Sequence, residues 1–143
     1  MRVLFFLLFL VLSFTRCSLG QTPEAVKIAF AEKFPGVKSV KWGIDRNGYW
    51  EGNFKLEGKR VRSDFTTKGK WVETEMSIKY EDLPAAVKAV IEKQFNKKNI
   101  REVEKVANAE KGDFYDVEFK QGKTVTDIEF KEDGTIQDKN SHN

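Results

Sequence analysis

Residues 22–78 and 83–139 can be laid over one another in order, and this self-similarity constrains the fold more than any other feature. Pro23-Glu24-Ala25-Val26-Lys27 matches Pro84-Ala85-Ala86-Val87-Lys88, Phe30 matches Ile91, and Phe34 matches Phe95. Further on, Tyr49-Trp50-Glu51-Gly52-Asn53-Phe54-Lys55 matches Phe114-Tyr115-Asp116-Val117-Glu118-Phe119-Lys120. Phe65, Gly69 and Trp71 match Phe130, Gly134 and Ile136. The offset drifts by a few residues, as loop insertions and a bulge produce.

Each stretch opens with a helix pattern. Val26, Phe30 and Phe34 fall at i, i+4 and i+8, and Val87, Val90, Ile91 and Phe95 form the second stripe. Thr22 is placed to cap the first helix, Pro23 suits its first position, and Pro35-Gly36 ends it. Three glycine turns follow in each stretch: Gly48, Gly58 and Gly69, then Gly112, Gly122 and Gly134. Three turns delimit four short antiparallel strands. The expected strands lie near 37–43, 48–56, 60–67 and 70–75, then near 100–107, 113–121, 124–131 and 135–138. The fold class expected is α+β: two tandem α-β4 repeats, with antiparallel meander sheets and helices packed on one face.

Alternation assigns the faces. Val40, Trp42, Trp50, Phe54 and Leu56 point one way, alternating with Tyr49, Glu51, Asn53 and Lys55. Tyr115, Val117 and Phe119 alternate with Phe114, Asp116, Glu118 and Lys120. The apolar set belongs beneath the helices and the polar set faces water or a partner. At Val125-Thr126-Asp127-Ile128 the alternation slips, which reads as a bulge.

Val3 to Leu12 is an apolar run behind Arg2, too short to cross a bilayer as a helix of about 20 residues. Ser18-Leu19-Gly20 puts small residues at the −3 and −1 positions of a cut before Gln21. The reading is a secretory signal peptide over residues 1–20; Cys17 as a lipidated residue is the rival, weakened by Arg16 where a small residue is needed. Cleavage after Gly20 leaves no cysteine and hence no disulfide. It also removes two of the 25 basic residues and none of the 22 acids, leaving a net charge of +1. No basic block resembles a nucleic-acid patch.

The same residues resemble a family. The Pro-led helix closing on Phe34-Pro35-Gly36, then Val40-Lys41-Trp42 and Tyr49-Trp50-Glu51-Gly52-Asn53-Phe54, are similar to the PepSY-like domain of secreted bacterial proteins. The turn Leu56-Glu57-Gly58-Lys59 and the close Phe65-Thr66-Thr67-Lys68-Gly69-Lys70-Trp71 add to the match. Phe114 to Phe119 and Phe130 to Ile136 carry it into the second stretch, which lacks a Pro-Gly after its helix and any Trp. The architecture resembles that of the β-lactamase-inhibitor protein. The resemblance implies two α-β4 units, at 21–80 and 81–143, acting as one cooperative unit with their sheets joined or adjacent and one face open. It also implies a secreted or periplasmic binding or inhibitory role, with no family active site to carry over.

The residues themselves say little in favour of catalysis. The single His, His142, stands at the C-terminus, where it is expected to be disordered, and Ser39, Ser63, Ser77 and Ser141 lie in no nucleophile-elbow context. Asp116, Glu118, Asp127 and Glu129 could neighbour one another across two strands as a carboxylate site; a solvated acidic face explains them as well. Glu132-Asp133-Gly134 lacks the spacing of a calcium loop, and no glycine-rich loop precedes a helix to cradle phosphate. Lys55, Arg60, Arg62, Lys68 and Lys70 could form a basic patch, or simply protect edge strands.

Trp42, Trp50, Phe54 and Trp71 could line a ligand platform, but their period-2 placement favours core packing. Tyr49 and Phe114 occupy equivalent outward positions, where an aromatic among polar residues signals an interface.

The function these features favour is a non-enzymatic binding module without a cofactor. It recognises an envelope or secreted protein through Tyr49, Glu51, Asn53, Lys55, Arg62, Phe114, Asp116 and Glu118, without nucleic acid or a membrane span, and as a monomer. Two other classes stay open: a small-ligand or glycan module using a cleft between the repeats, and an enzyme whose carboxylates with raised pKa share a cleft.

Overall fold

The computed structural model describes residues 21–142, so the expected signal peptide and Cys17 lie outside the described residues. Along the chain run α1 (Glu24–Lys33), β1 (Val40–Ile44), β2 (Trp50–Leu56), β3 (Lys59–Phe65) and β4 (Trp71–Ser77). A 3₁₀ turn at Tyr80–Asp82 leads to α2 (Ala85–Gln94), and another at Lys97–Asn99 leads to β5 (Ile100–Asn108). β6 (Gly112–Gln121), β7 (Thr124–Phe130) and β8 (Ile136–His142) complete the fold.

All eight strands belong to one antiparallel sheet, ordered β1 to β8 as in the chain. This corrects the expected fold class. The described residues form not two tandem α-β4 repeats but one continuous, mostly β structure with two ten-residue helices. The finding that overturns it is the pairing of β4 with β5, Glu73 to Ser77 against Asn108 to Glu104. Alternation reveals which side of a strand is apolar but not which backbone edge meets another. Left apart, β4 and β5 would each present an unpaired row of N–H and C=O groups; together they satisfy one another.

Both helices lie on the same face, over two separate apolar clusters. Beneath α1, Val26, Phe30 and Phe34 pack against Trp50, Phe54, Val61 and Phe65. The Phe30 ring meets Phe54 edge-on at 5.0 Å and Trp42 at 5.3 Å, arrangements that suit the aromatic quadrupole. Beneath α2, Val87 and Ile91 pack against Val103, Val117, Phe119, Ile128 and Phe130. Phe65, Ile91, Val117, Ile128 and Phe130 are fully buried.

Two turn glycines fasten the helices down. Gly69 and Gly134 have φ of +80° and +85°, and a Cβ there would stand 2.5 Å from the Ala25 carbonyl oxygen and 2.9 Å from that of Ala86. The β3–β4 and β7–β8 turns therefore seat against the first turns of α1 and α2, a contact only glycine permits.

Several local expectations need correction. Thr22 does not cap α1: Pro23 holds the N-cap position without a side-chain bond, and its carbonyl accepts from Val26 at 3.1 Å. The slip in alternation at 125–128 is no bulge, because β6 and β7 stay in register throughout; the irregularity falls between Glu129 and Phe130, against β8. β8 runs on to His142, which pairs with Val125 and so lies within the sheet.

Candidate functional site

The helices cover one face of the sheet, and register turns the other into rows of side chains. The first row runs Glu51, Asp64, Glu73, Asn108 across β2 to β5. The next runs Asn53, Arg62, Glu75, Val106, Phe114 across β2 to β6. A third runs Glu104, Asp116, Glu129, Asp138 across β5 to β8. The open face is thus dominated by carboxylates, with one half-buried arrangement of charge at its centre.

Arg62 is that centre. Its Nε donates to Glu75 Oε2 at 2.6 Å and its Nη2 to Glu104 Oε2 at 2.9 Å. Burial pulls the guanidinium pKa down, but Glu75, Glu104, Glu102 and Glu51 more than offset this and hold it above its ordinary value. One guanidinium cannot neutralise every neighbour. Burial therefore raises the pKa of Glu75 and of Glu104 despite their contacts with Arg62.

Two further acids lack even that partner. Asp64 retains 8% exposure, and burial, aided by Asp45, Glu73 and Glu51, pushes its pKa up to about 7. Asp116 is raised to about 7 by burial and by Asp127, Glu104 and Glu129. The Oδ1 atoms of both are buried with no hydrogen-bond partner.

The sequence-predicted residues share this face, in two groups. Glu51, Asn53 and Lys55 come from β2 and Arg62 from β3, while Phe114, Asp116 and Glu118 come from β6. Tyr49 lies just before β2, its backbone N–H donating to Asp45 Oδ1 at 2.7 Å. Between the groups stand β4 and β5, which supply the residues sequence reasoning missed: Glu73, Glu75, Glu104 and Val106, together with Asp64 of β3. Asp64 alternates with Ser63 and Phe65, so its side was readable; its neighbours were not.

Phe114 is a correction. It lies on the open side, as parity requires, but is 4% exposed, with Val106 opposite it and Lys111 Nζ 5.5 Å from the ring centre. It packs within the face rather than standing out from it.

The basic patch forms only in part: Lys55 and Arg60 are cross-strand partners. Arg60 bonds Glu102 at 2.9 Å, Arg62 is bound as above, and Lys68 and Lys70 belong to the turn between β3 and β4. Asp116 and Glu118 do oppose Glu129 and Asp127, but Glu129 accepts from Lys111 at 2.6 Å, and His142 Nδ1 lies 3.7 Å from Asp127. The raised carboxylates spread over β3 to β6 on an open surface and do not face each other across a cleft.

β4 and β5 are hydrogen-bonded, so no gap separates the two halves. A groove of about 1030 Å³ nonetheless draws on both: it runs over the far ends of β2 and β3, lined by Val37, Lys41, Phe54, Lys55 and Arg60 of the first stretch and by Glu104 of the second. Among the described residues, no group of three or more His, Cys, Asp or Glu is arranged to hold a metal ion, and no helix is long and apolar enough to cross a membrane.

Comparison with known proteins places this geometry. Residues 53–138 match the family described as "Putative beta-lactamase-inhibitor-like, PepSY-like". A "putative periplasmic" protein from Bacteroides eggerthii DSM 20697 superposes with a TM-score of 0.76 at 21% identity, over 85% of this chain and 90% of its own. A DUF2874 family protein from Bacteroides uniformis ATCC 8492 gives 0.75 at 20% identity, over 85% and 90%. A BLIP-like protein from Bacteroides fragilis NCTC 9343 gives 0.73 at 20% identity, over 87% and 89%. At such identities the likeness is one of fold. No curated protein matches the chain.

Proposed function

The chain belongs to the PepSY-like, β-lactamase-inhibitor-like family, and from that premise we propose that it is a non-enzymatic binding module that recognises a protein partner through the open face of its sheet. One observation carries this reading. Both helices pack on one side, so eight strands present an uncovered, hydrogen-bonded surface on the other. Such a surface is rigid, and its charged and aromatic groups are held in place by neighbours: Asn53 donates to Glu51 at 2.6 Å, and Asn108 to Glu73 at 2.8 Å. Preorganised groups lose little freedom on binding, which favours recognition of another folded surface.

The partner belongs to the cell envelope or its surroundings. The sequence pattern of residues 1–20 and the periplasmic description of the Bacteroides eggerthii relative both support that compartment. The surface available to the partner comprises Tyr49, Glu51, Asn53, Lys55, Arg62, Asp116 and Glu118, with Phe114 as the packed support beneath.

The test uses residues 21–143 immobilised on a resin and exposed to periplasmic extract. A captured protein is then assayed against Tyr49→Ala with Lys55→Glu, two positions outside the apolar clusters. At least a tenfold loss of affinity in a variant with an unchanged circular dichroism spectrum is expected. Full binding by that variant, with capture abolished instead by changes on the outward side of α1 or α2, would transfer the site to the helical face.

A further inference from the structure

Deepening the open-face reading and resting on it, we propose that the row Glu51–Asp64–Glu73 receives one cationic side chain, a lysine or arginine, from the docking protein. The three carboxylates are adjacent on β2, β3 and β4, in direct cross-strand register. Like charges placed side by side on a sheet repel one another. Ordinarily an interleaved cation relieves that repulsion, and beside other acids of this face it does: Arg62 serves Glu75 and Glu104, Arg60 serves Glu102, and Lys111 serves Glu129, so that the acids flanking Asp116 are paired although Asp116 itself is not.

Among the described residues, the acids of the first row make no such ion pair; Arg62 and Lys111 act on Glu51 and Glu73 only from a distance. Glu51 and Glu73 are held by the neutral amides of Asn53 and Asn108. Asp64, between them, is more than nine-tenths buried and leaves Oδ1 with no partner. An unpaired buried carboxylate oxygen is costly, and such groups are uncommon in native structures. The groups acting on Asp64 are Asp45 from the β1–β2 turn, Glu51 from β2 and Glu73 from β4, all negative, against Arg62 on its own strand, which is already bonded to Glu75 and Glu104. Half-buried Glu51 and Glu73 form the rim through which a cation reaches the row.

An ammonium or guanidinium suits this geometry. It brings several N–H donors to oxygens that only accept, and a guanidinium can span two neighbouring carboxylates. Seated there it would be partly desolvated, where charge-assisted bonds are strongest. It would also draw the proton off Asp64, so binding strengthens as pH rises through about 7.

The probes are N-acetyl-arginine and N-acetyl-lysine methylamides, titrated into ¹⁵N-labelled residues 21–143, with calcium chloride in a parallel series. At about pH 8 the cationic probes are expected to shift amides of 50–53, 62–66 and 72–75. The shifts should fall at least fivefold at about pH 5 and in Asp64→Asn with Glu73→Gln, while Glu132→Gln, an acid in the β7–β8 turn, leaves them unchanged. Shifts that are absent, or that persist undiminished in the double variant, would overturn the proposal. So would saturable calcium binding at the same amides, which would make the row a metal site. Such a failure is separable from failure of the open-face reading. A captured partner still sensitive to Tyr49→Ala with Lys55→Glu leaves that reading standing with the cation receptor removed.

Discussion

The two faces of this sheet are built from the same strands and obey opposite rules. On the covered face, Trp50, Phe65, Val117 and Ile128 are buried against helices, and the buried polar groups bond one another, Ser63 Oγ and the Trp71 indole N–H both meeting Thr74 Oγ1. On the open face, burial comes from the side chains themselves: Asp64, Glu104, Val106 and Phe114 are less than a tenth exposed although no helix lies over them. The contrast teaches that an uncovered face need not be a solvated one. Here a polar layer is packed tightly enough to trap carboxylates and alter their protonation.

The largest effects should come from the covered face. Phe65→Ala removes a fully buried ring from the cluster under α1 and is expected to cost about 3–5 kcal/mol in denaturant unfolding. Phe114→Ala sharpens the comparison, because its ring is buried on the other side. A loss of about 3 kcal/mol would show that the open face has a core of its own. A change near zero would return Phe114 to the role of a surface aromatic.

The next effect is smaller and opposite in sign at high pH. The native state holds the Asp64 proton more tightly than the unfolded chain does, since its pKa is about 7 when folded. That contribution to stability is complete below the unfolded carboxylate value near 4 and is lost as pH rises through about 7. Asp116 carries the same sign. Stability should therefore decline between about pH 5 and pH 8, and Asp64→Asn should gain about 2 kcal/mol at the upper end while flattening the curve. Urea midpoints at four pH values read this directly; a wild-type curve that rises with pH would remove the case for trapped acids. Smallest of all, Tyr49→Ala should alter stability by less than about 0.5 kcal/mol, as measured by thermal melting, because it bears on neither cluster.

The covered face was readable from the sequence because its rule is local. Trp50, Gly52 and Phe54 alternate with Glu51 and Asn53 within one strand, and Val26 and Phe30 repeat at helical spacing, so periodicity alone named the core. The open face depends on register between strands. That Asp64 sits between Glu51 and Glu73 follows from hydrogen bonding across β2, β3 and β4, which no single strand encodes. The same limit explains why Phe114 and Tyr49 looked alike: both have outward parity, but only Phe114 has Val106 opposite it. It explains too why the sequence left the sheets joined or merely adjacent, since the β4 and β5 partners, 27 or more residues apart, leave no local trace.

That junction also shapes how the chain can assemble. Every strand pairs with its neighbour in sequence, and six of the seven pairings close across short turns. Only β4 and β5 must meet across residues 78–103, a closure costing about 2 kcal/mol more in chain entropy than a tight hairpin. Hairpins can therefore zip early on either side while the seam waits. In kinetic terms Ser77, paired with Glu104 across that seam and outside the register of β3 with β4, should make its contacts after the rate-limiting barrier. Stopped-flow measurements on Ser77→Gly should then find faster unfolding and nearly unchanged folding, so that the seam governs how long the native sheet survives rather than how fast it forms.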